Sequence, residues 1–89
     1  MKTYSVEYTK QAVKALEKLD AGISKQIVDW IENNLEGCEN PRLHGKALQG
    51  NLKGKWRYSV GDYRVVAKIE DEKVLIFILD AAHRKQIYR

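Results

Sequence analysis

Helical and strand-like hydrophobic spacings occupy separate parts of this chain, and this separation limits the folds that it can form. Between residues 10 and 36, apolar side chains recur every three or four positions, at Ala12, Val13, Leu16 and Leu19 and then at Ile23, Ile27, Trp30, Ile31 and Leu35. This spacing predicts two amphipathic helices. Thr9 and Asp20 are the expected N-caps, and Gly37 is expected to end the second helix. A short turn then joins the helices into a hairpin.

The other apolar residues follow strand patterns. Residues 3–8 alternate between apolar and polar side chains, and so do residues 55–60 and 63–69 on either side of a Gly61-Asp62 hairpin turn. Residues 74–79 are almost wholly apolar, which predicts a central strand covered on both faces. Residues 38–54 contain three glycines and a proline, and these breakers predict a loop.

The resulting order, β-α-α-β-β-β, predicts an α+β fold. We expect a small antiparallel sheet of about four strands, with the N-terminal αα-hairpin packed on one face. The 89 residues favour a single domain spanning residues 1–89. The chain has one cysteine, no signal peptide and no long apolar run, so we expect a reducing cytoplasm and no membrane partner.

Positive charge is concentrated in the middle of the chain. Residues 41–64 contain six Lys and Arg against one Asp, a net charge of +5, whereas residues 1–40 carry −2 and residues 65–89 carry +1. Such a patch favours a polyanionic partner, of which RNA and DNA are the commonest. A solvated, Lys-rich loop explains the charge alone equally well.

Strand alternation sorts the cations of this segment onto one face of the predicted sheet. Lys55 and Arg57 share one face, while Trp56 is the expected core residue on the other. Arg64, in the returning strand, joins Lys55 and Arg57 if its apolar neighbours in that strand are buried. Three cations on one open face repel each other unless an anion lies among them. Taken together, they favour phosphate binding over a solvated face.

The predicted last strand is followed by His83, Arg84 and Tyr88. In an antiparallel sheet this end can lie beside the start of the preceding strand, near Arg64. A lone histidine or a terminal tyrosine is more often structural, but with this spacing next to a cationic face, structural and catalytic roles both stay open. His44 and His83 are far apart in sequence and there is one cysteine, so we expect neither a metal site nor a cofactor.

A family resemblance spans nearly the whole chain. It is carried by four segments, Leu48-Gln49-Gly50, Lys53-Gly54-Lys55-Trp56-Arg57, Val60-Gly61-Asp62-Tyr63-Arg64-Val65-Val66 and His83-Arg84-Lys85-Gln86-Ile87-Tyr88. With these segments and this order of elements, the chain resembles the RelE/ParE superfamily of toxins from bacterial type II toxin–antitoxin systems. The RelE branch is the more similar, because the hairpin and the C-terminal segment occur together.

The resemblance implies a toxin that enters the ribosomal A site and cuts messenger RNA without a metal. The expected reaction is attack of a ribose 2′-hydroxyl on the neighbouring phosphate, which leaves a 2′,3′-cyclic phosphate and a 5′-hydroxyl. The implied partners are the ribosome, messenger RNA and a small RelB-like antitoxin. Operator DNA is expected to be bound only through the antitoxin.

The resemblance also implies roles for individual residues. Arg64 matches the hairpin arginine of the family and would stabilise the negative phosphorane. His83, Arg84 and Tyr88 complete the expected catalytic set, with His83 or Tyr88 taking part in proton transfer. The expected phosphate-binding set is Lys46, Lys53, Lys55 and Arg57.

The sequence departs from the family pattern at positions that bear on the chemistry. Ser59 stands where many relatives carry a further basic residue. No carboxylate is evident as a general base, so Lys55 and Tyr88 stay open as alternatives for that role. A ParE-like inhibitor of DNA gyrase, or a binding module that holds RNA or a protein partner without chemistry, are the alternative functions. Gyrase inhibition does not require His83, Arg84 and Tyr88, so this cluster distinguishes the two activities.

Overall fold

The computed structural model describes residues 2–86. Its elements are β1 (Ser5–Tyr8), α1 (Lys10–Glu17), α2 (Ala21–Asn34), β2 (Lys46–Ala47), a 3₁₀ turn (Gly50–Leu52), β3 (Trp56–Val60), β4 (Tyr63–Glu70) and β5 (Leu75–His83). The α+β class and the N-terminal helical hairpin are confirmed. No helix in residues 2–86 is both long and apolar enough to cross a membrane.

Both predicted helix starts are confirmed. The Thr9 hydroxyl accepts the backbone N–H of Ala12 at 3.1 Å and donates to the carbonyl of Ile78 at 2.9 Å, which joins the start of α1 to β5. The Asp20 carboxylate accepts the N–H of Gly22 at 3.0 Å at the start of α2. These side chains satisfy N–H groups that have no partner inside a helix.

The sheet has five strands in the order β1-β5-β4-β3-β2, and it is mixed rather than antiparallel. Strand β1 runs parallel to β5, with Ser5 opposite Leu75 and Tyr8 opposite Ile78. The prediction of an antiparallel sheet of about four strands is wrong on these two points. The helices carry the chain from β1 to the far edge of the sheet, and β3, β4 and β5 return from there by hairpins until β5 meets β1.

Two further expectations are corrected within the sheet. The middle strand is β4, while the apolar β5 lies between β4 and β1. The segment 38–54 contains a two-residue strand, because Lys46 and Ala47 pair with Arg57 and Trp56. Gly45 permits this pairing: its φ is 79°, and a Cβ at this position would lie 2.0 Å from the carbonyl oxygen of Arg57.

The hydrophobic core lies between the helical hairpin and one face of the sheet. Its largest fully buried side chain is Tyr58, whose hydroxyl donates to the carbonyl of Pro41 at 2.7 Å. Ile27 and Ile31 of α2 and Val65 of β4 are also buried in this core. Trp56 lies on the core face, as predicted, but it is only partly buried at the edge of the core.

One ion pair fixes the loop after α2 to the turn between β4 and β5. The Asp71 carboxylate accepts two hydrogen bonds from the Arg42 guanidinium, both at 3.0 Å, and one from the Tyr4 hydroxyl at 2.6 Å. The bonds from Arg42, and next that from Tyr4, hold the pKa of Asp71 below its ordinary value of 3.8. The same bond to Asp71 raises the pKa of Tyr4 above 10.0.

This anchor predicts a defined pH dependence of stability. The pKa of Asp71 is lowered by folding, so its contribution is present above pH 3.8 and is lost as pH falls through the lower folded value. The pKa of Tyr4 is raised, so its contribution is present below pH 10.0 and is lost as pH rises through the folded value. We expect Asp71→Asn to flatten the acid limb of urea-unfolding free energy against pH. An unchanged acid limb would contradict the assignment.

Candidate nucleic-acid interface

The sheet face opposite the core carries several cations, and we call the surface formed by four of them around β3 the cationic face. It consists of Lys46, Lys55, Arg57 and Arg64. Residues directly opposite each other in an antiparallel pair project to the same side, and Lys46 pairs with Arg57. Arg64 pairs with Ser59 on that side, and Lys55 lines a cavity with Val66, which pairs with Arg57. The predicted grouping of Lys55, Arg57 and Arg64 is confirmed, and β2 adds Lys46.

Arg64 occupies an open position on this face. Its neighbours across the sheet are Ser59 on β3 and Ala82 on β5, both of which are small. The Nε atom of Arg64 is buried and makes no hydrogen bond within residues 2–86. A buried donor without a partner is rare in folded proteins and requires an explanation. An anion bound at the guanidinium would supply the missing partner.

The cationic face also holds a carboxylate that sequence alternation did not predict. Strict alternation from Ile76 and Ile78 would place Asp80 in the core. A bulge intervenes, because Ala67 pairs with Ile78 while Val66 pairs with Asp80, which leaves one extra residue in β5. Asp80 therefore shares the face of Val66 and, across it, of Arg57.

Asp80 and Lys55 line the same cavity of about 350 Å³. One oxygen of Asp80, Oδ1, accepts the N–H of Ala81 at 2.8 Å. A carboxylate, a lysine and two arginines thus share one surface. Carboxylates accept protons, and arginines stabilise developing negative charge, so this surface offers two of the functions that phosphate-ester chemistry uses.

His83 and Arg84 lie at the end of β5, directly after Ala82, which pairs with Arg64. His83 pairs with Tyr63, and the two rings meet edge to face with centroids 5.3 Å apart. Because Tyr63 and Arg64 are consecutive in β4, the imidazole lies on the side of the sheet opposite Arg64. Its Nδ1 accepts the N–H of Lys85 at 3.2 Å, which leaves Nε2 as the ring nitrogen open to another partner.

Arg84 is attached to the hairpin turn between β3 and β4. Its N–H donates to the carbonyl of Asp62 at 2.9 Å, and its Nη1 lies 3.8 Å from Oδ1 of the same residue. Lys53 lies in the turn before β3 and is exposed, outside the paired strands that form the cationic face. Tyr88 falls outside the described residues. Of the eight predicted site residues, the structure brings Lys46, Lys55, Arg57 and Arg64 together.

Acidic and metal-binding side chains are sparse around this surface. No group of three His, Cys, Asp or Glu within residues 2–86 is arranged to hold a metal ion. Asp80 on the face and His83 at its end are acid–base groups of the described chain here, together with Lys55.

Comparison with known proteins agrees with this architecture. Residues 6–88 match the family described as ParE toxin of type II toxin–antitoxin systems, parDE. This chain belongs to that family. It is 34% identical to toxin RelG of Mycobacterium tuberculosis over 97% of each chain. It is 29% identical to the mRNA interferase toxin RelE of Escherichia coli strain K12, over 93% of this chain and 85% of that relative.

A solved structure supports the same family membership. The toxin–antitoxin complex RelBE2 of Mycobacterium tuberculosis contains a chain with a TM-score of 0.84 and 32% identity, over 94% of both chains. The protein is thus a RelE-like toxin of a toxin–antitoxin system, as its sequence segments suggested.

Proposed function

We propose that this toxin is a ribosome-dependent endoribonuclease that cuts messenger RNA in the ribosomal A site without a metal ion. The observation that carries the proposal is the position of Arg64, whose buried Nε has no partner within residues 2–86, on a face with three further cations. Similarity to the mRNA interferase RelE supports the same chemistry.

The proposed reaction needs a base, an acid and stabilisation of negative charge. The ribose 2′-hydroxyl loses its proton to the base and attacks the adjacent phosphorus, forming a phosphorane. The bond from phosphorus to the 5′-oxygen then breaks, and that oxygen takes a proton from the acid. Arg64 stabilises the phosphorane, while Lys46, Lys55 and Arg57 hold the phosphates on either side.

We assign the base to Asp80, because it is a carboxylate on the same face as Arg64 and Arg57. We assign the acid to the C-terminal segment, where His83 and Tyr88 are the two proton donors. Arg84 adds positive charge at this end. Lys53, which lies off the face, is proposed to attract RNA without contacting the reacting phosphate.

The two candidate acids predict different mutant rates. The imidazole of His83 packs against Tyr63 on the side of the sheet away from Arg64. We therefore expect His83→Gln to lower the single-turnover cleavage rate less than tenfold. Tyr88→Phe should lower it about a hundredfold, the lower end of the effect of a general acid. The opposite order of the two rates would assign the acid to His83.

We further propose that a RelB-like antitoxin neutralises this toxin, as the solved complex with a similar chain suggests. The antitoxin would carry the operator-binding part, so that the toxin meets DNA only through it. Co-expression of the cognate antitoxin should restore growth to cells that produce the toxin. Continued arrest with soluble antitoxin present would contradict this pairing.

Primer extension on messenger RNA in a reconstituted translation system tests the proposed function. The reaction is run with and without ribosomes, and a ribosome-free control contains EDTA. Cuts at A-site codons that require ribosomes are expected. If folded protein makes no cuts and instead blocks DNA supercoiling by gyrase, the ParE-like alternative is correct.

A further inference from the structure

A second cavity adjoins the cationic face at its outer edge. Its volume is about 490 Å³, within the range typical of sites for small ligands. It lies between α2, the segment 43–46 and β3, and the residues that line it include Trp30, Leu43, His44, Lys46, Arg57 and Ser59. Lys46 and Arg57 belong to both the cavity and the cationic face, so the two surfaces are continuous.

One wall of this cavity is aromatic and apolar. The rings of Trp30 and His44 meet edge to face with centroids 5.6 Å apart. Beside them, Leu43 is 76% exposed, the larger exposure of the two exposed large hydrophobic side chains in residues 2–86. Leu43 extends the aromatic wall, so the cavity offers an apolar surface to a ligand with a flat, apolar face.

The opposite wall is cationic. Lys46 and Arg57 are opposite each other across β2 and β3, and no acidic residue lines the cavity. A ligand that carries a planar group and a negative charge a few ångströms apart would contact both the aromatic and the cationic wall. A nucleotide has this chemistry, since its base stacks on aromatic rings and its phosphate pairs with Lys and Arg.

The segment that forms the cavity is fixed in place. The indole N–H of Trp56 donates to the carbonyl of His44 at 2.6 Å, and the approach of Gly45 to Arg57 holds the segment against β3. The side chains of Leu43 and His44 are themselves exposed, so their removal leaves these backbone contacts intact. The cavity is therefore preformed, which lowers the entropy lost on binding.

We propose that this cavity is a nucleotide-binding subsite, which holds one base of the RNA adjacent to the phosphate bound at Arg64. The base lies against Trp30, His44 and Leu43, and its phosphate binds Lys46 and Arg57. The identity of the ligand as RNA rests on the proposed function, but the subsite requires no cleavage. It would select among bases by their stacking and by the polar groups at the rim, such as Ser59.

Tryptophan fluorescence tests the subsite, because one of the two tryptophans of the chain lines it. The probe is a short 2′-O-methyl oligoribonucleotide, which lacks the hydroxyl needed for cleavage. The control is an oligonucleotide of equal charge without bases. The base-containing probe should quench emission, and the abasic probe should bind without quenching. Trp30→Phe keeps an aromatic ring and should remove most of the quenching, because the remaining Trp56 does not line the cavity and contacts only its backbone wall at His44.

Affinity variants complete the test. His44→Ala and Leu43→Ala should each weaken probe binding, His44→Ala by about tenfold, as is typical of a lost stacking contact. Val13→Ala, at the other exposed large hydrophobic residue of the described chain, should not change binding. Equal quenching by both probes, quenching that Trp30→Phe leaves undiminished, or no binding of the base-containing probe at millimolar concentration would each overturn the proposal.

Different experimental results would disprove the subsite and the proposed function. If messenger RNA is cut but the probe does not quench, the subsite is wrong and the cleavage proposal stands. If the probe quenches through Trp30 but no cleavage occurs on ribosomes, the protein binds nucleotides here without the proposed reaction. If an antitoxin, rather than the oligonucleotide, quenches Trp30, the cavity serves the protein partner.

Discussion

Replacing Arg64 with alanine is expected to lower the rate of messenger RNA cleavage by about 10²–10³, the usual cost of losing a group that stabilises negative charge in a transition state. Arg64 projects from the face opposite the core, between Ser59 and Ala82, so the fold should not change. The rate is measured under single-turnover conditions on programmed ribosomes. Circular dichroism and thermal melting confirm that the variant is folded.

Two matched variants separate the role of Arg64 from general charge. Lys53→Ala removes one positive charge outside the cationic face and should lower the rate less than tenfold. Arg64→Lys keeps the charge but loses the planar fork of donors, so its rate should lie between those of wild type and Arg64→Ala. Cleavage by Arg64→Ala at the wild-type rate would show that the reaction takes place elsewhere on the molecule.

Tyr58→Ala is expected to have the largest effect on stability. Its side chain is fully buried, and the substitution removes a large aromatic group and a hydrogen bond to Pro41. Loss of a buried aromatic side chain typically costs about 3–5 kcal/mol, which is much of the stability of a small domain. We expect insoluble protein or no cooperative transition in urea.

Two milder substitutions test the reason for this loss. Tyr58→Phe keeps the ring but leaves the Pro41 carbonyl without its donor, and it should cost about 1–3 kcal/mol. Trp56→Ala should cost less than Tyr58→Ala, because Trp56 is only partly buried at the edge of the core. A soluble Tyr58→Ala protein with a wild-type urea midpoint would contradict the position of the core.

Local signals in the sequence predicted the helices, their caps and the faces of the hairpin correctly. Thr9 and Asp20 work as caps through hydrogen bonds to nearby N–H groups, so a few residues contain the whole signal. The same holds for Arg57 and Arg64, whose common face follows from alternation within one hairpin. Such features depend on neighbours in sequence and need no knowledge of the complete fold.

Features that depend on distant pairing were not predicted. The direction of β1 is set by its contact with β5, which lies about 70 residues later in the chain. The two-residue β2 is too short to show alternation. The bulge that brings Asp80 to the cationic face exists only in the pairing of β5 with β4, and the same pairing places His83 beside Tyr63. These tertiary contacts override the local pattern.

In the proposed reaction, the toxin cleaves RNA on the ribosome through attack by a ribose 2′-hydroxyl. The most direct test uses a programmed ribosome with a messenger RNA in which the nucleotide before the cut carries a 2′-deoxyribose. Wild-type toxin should cut the all-ribose message and leave a 2′,3′-cyclic phosphate, and it should fail to cut the deoxy-substituted message at that position. Cutting both messages at the same site, or neither, would contradict the account.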